Sequence, residues 1–388
     1  MATVPNVSDI RNSPDNQTVL SDLGLLAELA GTWEGHGFNL IARPDFVQGT
    51  NLFLQLSDTD ETLKFDPIGS PIPNRIFGPN PAPPAPPRDL KLNGLTYLQK
   101  IHDAQTGGAL HIEPGIWIRQ PNTNYPPETA PKGQDLIARM GNIPHGNSLL
   151  AQGIASSFEG DPVLANGNVL YNGSVFPSFN STPFPIPPLA IPPAPQTPTV
   201  LNAALSSEKG TAPNPPGPFT QYDLTIAASA ANTRTSPPPP GVNQAVVNDP
   251  ITLLQNVITQ QKQAGHSFSG TVLNIATQAE ITFFTQPNSQ PGAATTPVNV
   301  PNGAGGIENI LFLLGGNPAG SLGPNAQTAL VYATFWIEKV THPTDPTFMQ
   351  LQYAQMVVLN FEILKALPKS VLLGWPHVSV GTLRKTFN

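Results

Sequence analysis

Cysteine is absent from all 388 residues. That excludes disulfides, thiolate metal sites, iron–sulfur clusters, thioether-linked haem and a cysteine nucleophile. Charge is also scarce, with Asp, Glu, Lys and Arg making only 11% of the chain. The formal net charge is −7 and no basic run occurs, so the electrostatic footprint of a nucleic-acid binder is missing. No apolar stretch reaches the ~18 residues that a membrane-spanning helix needs. The start, MATVPNVSDIRNSPDNQ, lacks the basic-then-apolar order of a signal peptide, which makes a cytoplasmic protein the expectation. There is no Gly-x-Ser-x-Gly elbow, no P-loop and no Gly-x-Gly-x-x-Gly turn.

What is abundant is proline, at 47 residues, and glycine, at 33. Both work against long helices and favour strands joined by loops. The proline does not signal disorder, because aromatic and β-branched residues recur along the chain. Residues 1–19 are expected to be a polar arm. Ser21-Asp22 offers a cap for one short helix carrying Leu23, Leu25, Leu26 and Leu29. Alternating stretches then follow as strands. They include 51–56 and 61–65 about an expected turn at Ser57–Asp60, then 94–103, 109–119, 136–140 and 147–152. Residues 156–248 change character, with prolines grouped at 183–198, 213–218 and 237–240. They read as an insertion packed over the domain rather than a free linker. Asp249-Pro250 opens the clearest helix, ending near Gly265. Strands at 267–286, 328–341, 348–361 and 370–387 complete the chain, and Ile307–Leu314 is expected to be a short helix, with a strand as the alternative. The fold class is mainly β. It is a single antiparallel barrel of about ten strands, spanning 20–388, with a few short helices and long Pro-rich loops.

Of seven histidines, His102, His266 and His342 sit where a solvated side chain is expected. His36, His111, His145 and His377 lie in Gly- or Pro-marked strand contexts. Residues two apart on a strand share a face. Trp375, His377, Ser379, Gly381 and Leu383 therefore point one way. If that face is interior, the imidazole sits among a Trp, a Ser and a space-giving Gly, where a planar aromatic or a metal-centred macrocycle fits. A core histidine bonded to a backbone carbonyl is the alternative. His111 and Glu113 also share a face and make an acid/base candidate or half of a metal site. Zinc lacks a third ligand at suitable spacing. His145, in Pro-His-Gly, can face the same space from the opposite wall.

The helix leading into Gly31-Thr32-Trp33 resembles the start of calycin-type barrels, in which the Trp closes one end. Several motifs in order extend that likeness: Leu29-Ala30-Gly31-Thr32-Trp33-Glu34-Gly35-His36-Gly37, Leu98-Gln99-Lys100, Leu110 to Trp117, and His377 followed by Thr382-Leu383-Arg384. Together they resemble the nitrobindin-like haem-binding barrels, over about 22–155 and 325–388. The resemblance implies non-covalent haem b with His377 as the axial iron ligand, and Trp375, Ser379 and Trp33 in the cofactor-binding set. His111, Glu113, His145 and Arg139 become the distal, catalytic candidates. It further implies peroxidase-like or peroxynitrite and nitric-oxide chemistry on a small hydrophobic or diatomic ligand. The family barrel is shorter, and the Pro-rich insertion is a departure from it. A haem-free barrel for a lipid or pigment is the main alternative. A polyproline docking protein and a cofactor-free isomerase or cyclase built on His111 and Glu113 are two others. Oligomeric state is open, with a homodimer compatible.

Overall fold

The computed structural model describes residues 15–45, 50–76, 88–120, 123–124, 127–128, 133–164, 169–171, 174–176, 184–185, 220–277, 281–284, 297–299, 305–310, 327–363 and 371–386. Ten strands close on themselves as an antiparallel barrel. They are β1 (Gly31–Asp45), β2 (Thr50–Pro67), β3 (Arg88–Asp103), β4 (Ala109–Gln120) and β5 (Gln134–Ile143). Then come β6 (Asn147–Glu159), β7 (Ser267–Ala276), β8 (Gln327–Thr341), β9 (Phe348–Ile363) and β10 (Val371–Thr386). Each pairs with its sequence neighbour, and β10 returns to β1, with Gly35 opposite Leu383 and Ile41 opposite His377. Closure leaves no free sheet edge in the ring.

Strand alternation divides the apolar residues into two shells. Inside lie Trp33, Phe65, Trp117, Phe335, Leu351 and Leu383, with Leu23, Leu26 and Leu29 plugging one end. The plug begins as helix α1 (Asn16–Leu23), capped by Asp15, whose carboxylate accepts from Thr18 N at 2.8 Å. It continues as a 3₁₀ turn, Gly24–Leu29. The helix thus starts within the stretch expected to be a loose arm. Trp33 Nε1 donates to Leu29 O at 2.7 Å, which ties the plug to β1.

The second shell covers the outer wall. Phe38, Leu54, Trp336 and Val378 pack with Val246 of helix α2 (Gln244–Asn248) and with Leu254 and Ile258 of helix α3 (Ile251–Gln263). Burying each such side chain contributes about 1.5–3 kcal/mol. Segment 220–243 is stitched to β2 by Leu54 N→Thr233 O at 3.1 Å and Thr235 N→Leu54 O at 3.0 Å. The proline groups at 183–198 and 213–218 lie outside the described residues, apart from 184–185.

Two expectations are corrected. Ser57–Asp60 is no turn but the middle of β2, laddered to β1 on one side, with Thr59 and Asp60 also paired to β3. Its polar residues satisfy one another inside the barrel: Gln55 Nε2 donates to Ser57 Oγ at 3.2 Å, and Thr59 Oγ1 to Glu61 Oε1 at 2.8 Å. Polar composition there reflects a wet interior, not a bend. Gly306–Asn309 is a strand on β6 instead of a helix, and 311–314 lie outside the described residues.

Candidate functional site

Alternation turns a layer of polar side chains into the barrel. Arg139 on β5 is its centre, with the side chain 2% exposed. Its Nη2 donates to Glu113 Oε1 at 2.7 Å, its Nε to Tyr97 Oη at 3.0 Å and its Nη1 to Gln355 Oε1 at 2.8 Å. Tyr97 Oη also donates to Glu113 Oε1. The guanidinium lies 5.6 Å from the Phe335 ring centroid and 5.9 Å from that of Trp117. Every arm of a buried cation is therefore used, as a low-dielectric interior requires. A second pair stands beside it: Tyr353 Oη donates to Glu61 Oε2 at 2.6 Å.

Glycines make room for both pairs. A Cβ on Gly141 would lie 2.3 Å from Glu113 Oε1 and 2.5 Å from Tyr97 Oη. A Cβ on Gly381 would lie 2.4 Å from the Tyr353 ring, and one on Gly37 2.3 Å from Glu61 Oε1. The two glutamates differ in charge. Burial pushes the Glu113 carboxyl up, but Arg139 and hydrogen bonds from His111 and Tyr97 outweigh it and bring the pKa to about 2. Glu61 has no guanidinium bonded to it, and burial raises it despite hydrogen bonds from Tyr353, Thr59 and Gln99 and the His111 charge.

Three histidines lie toward the end opposite the plug. His111 Nε2 meets Glu113 Oε2 at 3.3 Å, and its ring stacks on His145 with centroids 5.9 Å apart. The tight turn at Gly146, φ 111°, places His145 there. His377 is half-buried, opposite Ile41 and Val357. Its Nε2 meets Ala42 O at 3.2 Å. Burial lowers its pKa to about 4; the Ala42 bond opposes this, and the Arg43 and His145 charges add to it. The imidazole is neutral at physiological pH. Ser379, two residues on, faces Asn39, whose buried Oδ1 has no hydrogen-bond partner among the described residues.

Comparison with family models and with curated proteins finds no match. Among solved structures the chain is similar to the crystal structure of Rv2717c from M. tuberculosis, at 10% identity and a TM-score of 0.32. That alignment covers 94% of this chain and 98% of the other. The site is therefore read from its own geometry.

The sequence-derived candidates fall into two places. His111, Glu113 and Arg139 form one bonded chain, with His145 stacked on it and close enough to His377 to influence its charge. Trp375 is fully buried and groups with Val378 and Val380. Trp33 stands apart. It is eight residues from Ile41, the partner of His377, along β1, or roughly 27 Å of extended chain. Trp33 belongs to the plug. Among the described residues, no three His, Cys, Asp or Glu side chains are grouped to hold a metal ion, so His377 offers a single imidazole. Among the described residues, no helix is long and apolar enough to cross a membrane.

Sequence reasoning passed over Tyr97, Gln355 and the Glu61–Tyr353 pair. The signal was present, since Tyr97 and Gln99, or Tyr353 and Gln355, alternate on one face with apolar neighbours. A Tyr on a strand reads equally as core, and only closure of the ring shows what it meets.

Proposed function

We propose that the barrel binds one haem non-covalently at the end opposite the plug, with His377 as the axial ligand. The observation that carries this reading is the state of that imidazole. It is neutral, and one ring nitrogen is bonded to the Ala42 carbonyl. The other has no partner among the described residues. Metal-ligating histidines usually donate the second N–H to such a carbonyl, which fixes the ring and makes it more basic. His377 would hold the haem, with apolar Ile41 and Val357 beside it and the Arg43 cation nearby for a carboxylate.

Bound there, ferric haem would supply an open coordination position for a diatomic ligand or a peroxide, and with it peroxidase-like or peroxynitrite chemistry. The chain's own groups divide the remaining work. A Glu113 carboxyl held at about 2 is a poor base near neutrality, and Arg139 is fully engaged. Both position their neighbours. Holding a proton falls to His111, fixed by Glu113 Oε2, and to His145 stacked on it.

The test is a titration of the purified chain with haemin. A Soret shift is expected, lost in His377→Ala and kept in His36→Ala, whose side chain is 86% exposed on the outer wall. No shift, or an unchanged shift in His377→Ala, sinks the reading. A colourless protein that carries a lipid would favour the haem-free barrel.

A further inference from the structure

Between α3 and the outer wall of the barrel is a cavity of about 650 Å³ that the haem reading does not use. Ligand pockets typically span ~300–1,000 Å³, with mostly apolar walls and a few orienting polar groups. This one has that make-up. Phe38 of β1, Val380 of β10, Leu254 and Val257 of α3, and Val242 supply the apolar walls. Phe38, Val380 and Leu254 are each 1% exposed.

The polar groups are of one kind. Asp58 and Asp60 share the outer face of β2 and both line the cavity. Asp60 is met by His36 Nδ1 at 2.8 Å. Asp58 is half-buried, and its carboxylate has no hydrogen-bond partner among the described residues. Burial, with the nearby Asp103 charge, disfavours its ionised form, and the nearby His36 charge opposes this. Behind that wall Gln352 is fully buried; its Nε2 donates to Thr382 Oγ1 at 2.9 Å and to Leu254 O at 3.3 Å, which fixes two of the residues that line the cavity.

A carboxylate with no hydrogen-bond partner among the described residues, at a largely apolar cavity, suits a ligand that carries N–H donors and positive charge on an apolar body. We propose that this outer cavity is a binding site for a small amphipathic amine, its ammonium on Asp58 and its hydrocarbon against Phe38, Leu254 and Val380. Charge complementarity selects a cation over an alcohol or an acid of the same body. An ammonium there adds to the counter-charge of His36 and donates to a carboxylate oxygen that has no hydrogen bond among the described residues.

The experiment is calorimetric titration of the full chain with n-octylammonium, n-octanol and n-octanoate at low and moderate salt. Saturable binding of octylammonium is expected, at least about tenfold tighter than octanol and weakened by salt, with octanoate weakest. Asp58→Asn is expected to weaken octylammonium about tenfold and leave octanol unchanged. Val257→Trp, which fills the cavity from α3, is expected to abolish both. No saturable octylammonium binding, equal binding of all three probes, or an unaffected Asp58→Asn variant overturns the proposal. Haemin titration of the same variants reads the other site, so failure of one assignment is distinguishable from failure of the other.

Discussion

Arg139 Nη2 and Glu113 Oε1 lie 2.7 Å apart inside the barrel, on side chains 2% and 0% exposed. Neither group reaches water, so each depends on the other for its charge. Removing one partner strands a buried charge, at a cost of about 3–5 kcal/mol, whereas replacing both with apolar groups of similar volume is often close to neutral. Arg139→Met is therefore expected to lower unfolding free energy by that amount. The pair Glu113→Leu/Arg139→Met should recover most of it. Urea denaturation of the single and double variants measures this, and a double variant no better than the single would show that Tyr97 and Gln355 hold the arrangement instead.

The same pair makes Gly141 a packing requirement. A Cβ there would meet Glu113 Oε1 at 2.3 Å and Tyr97 Oη at 2.5 Å. Overpacking costs about 1–3 kcal/mol even where neighbours can yield, and here they are the locked ion pair. Gly141→Ala is expected to fall at the upper end of that range or beyond. Gly306→Ala is the control, since nothing lies within 4 Å of its Cβ position. Thermal melts of the two should separate clearly, with Gly306→Ala close to the parent.

Much of this was readable from period-two alternation. The shared face of Leu383, Gly381, Ser379 and His377 on β10 followed from it, although Trp375, expected on the same face, groups with Val378 and Val380. That Trp33 closes one end was implied only by the resemblance to calycin-type barrels, which also put it in the cofactor-binding set. About ten strands followed from the number of alternating stretches, although 51–56 and 61–65 are one strand. What alternation cannot show is which inward side chains meet across the barrel. Arg139 and Gln355 are 216 residues apart in the chain, and Glu61 and Tyr353 are 292 apart. Ser57–Asp60 misled for a related reason: polar residues on a strand signal a turn unless the interior itself is polar. Glu338 was not singled out, because its burial depends on what packs over the outer wall.

Glu338 is fully buried on the outer wall, where Gln350 Nε2 donates to its Oε2 at 2.6 Å. Its Oε1 has no hydrogen-bond partner among the described residues. Burial raises its pKa to about 8, with the Gln350 bond opposing. The folded state thus keeps a proton that the unfolded chain releases above about 4.5, the unperturbed value. Stability from this group is full below 4.5 and declines as pH rises toward 8, on the order of 1 kcal/mol per pH unit at most. Glu338→Gln removes the titration. Its melting temperature should exceed the parent's at pH 8.5 and match it at pH 4.5. A constant offset across that range would show that Glu338 does not change protonation on unfolding.

His377 titrates with the opposite sign. Its folded pKa, about 4, lies below the unperturbed 6.5. Between those values the unfolded chain binds a proton that the folded chain refuses, so this group costs stability as pH falls from 6.5 toward 4. His377→Gln, which keeps bulk and a donor but cannot titrate, should flatten that part of the profile. The same neutrality bears on haemin. An exposed histidine ligand would lose competence from about pH 6.5 downward, whereas His377 is expected to hold its Soret signature to about pH 4.5. Trp33→Phe supplies the contrast at the plug. It loses the 2.7 Å bond to Leu29 O, so it should reduce stability by about 1 kcal/mol and leave haemin affinity unchanged. Comparable losses of haemin affinity in Trp33→Phe and His377→Gln would place the ligand deep in the barrel instead of at the end where His377, His145 and His111 meet.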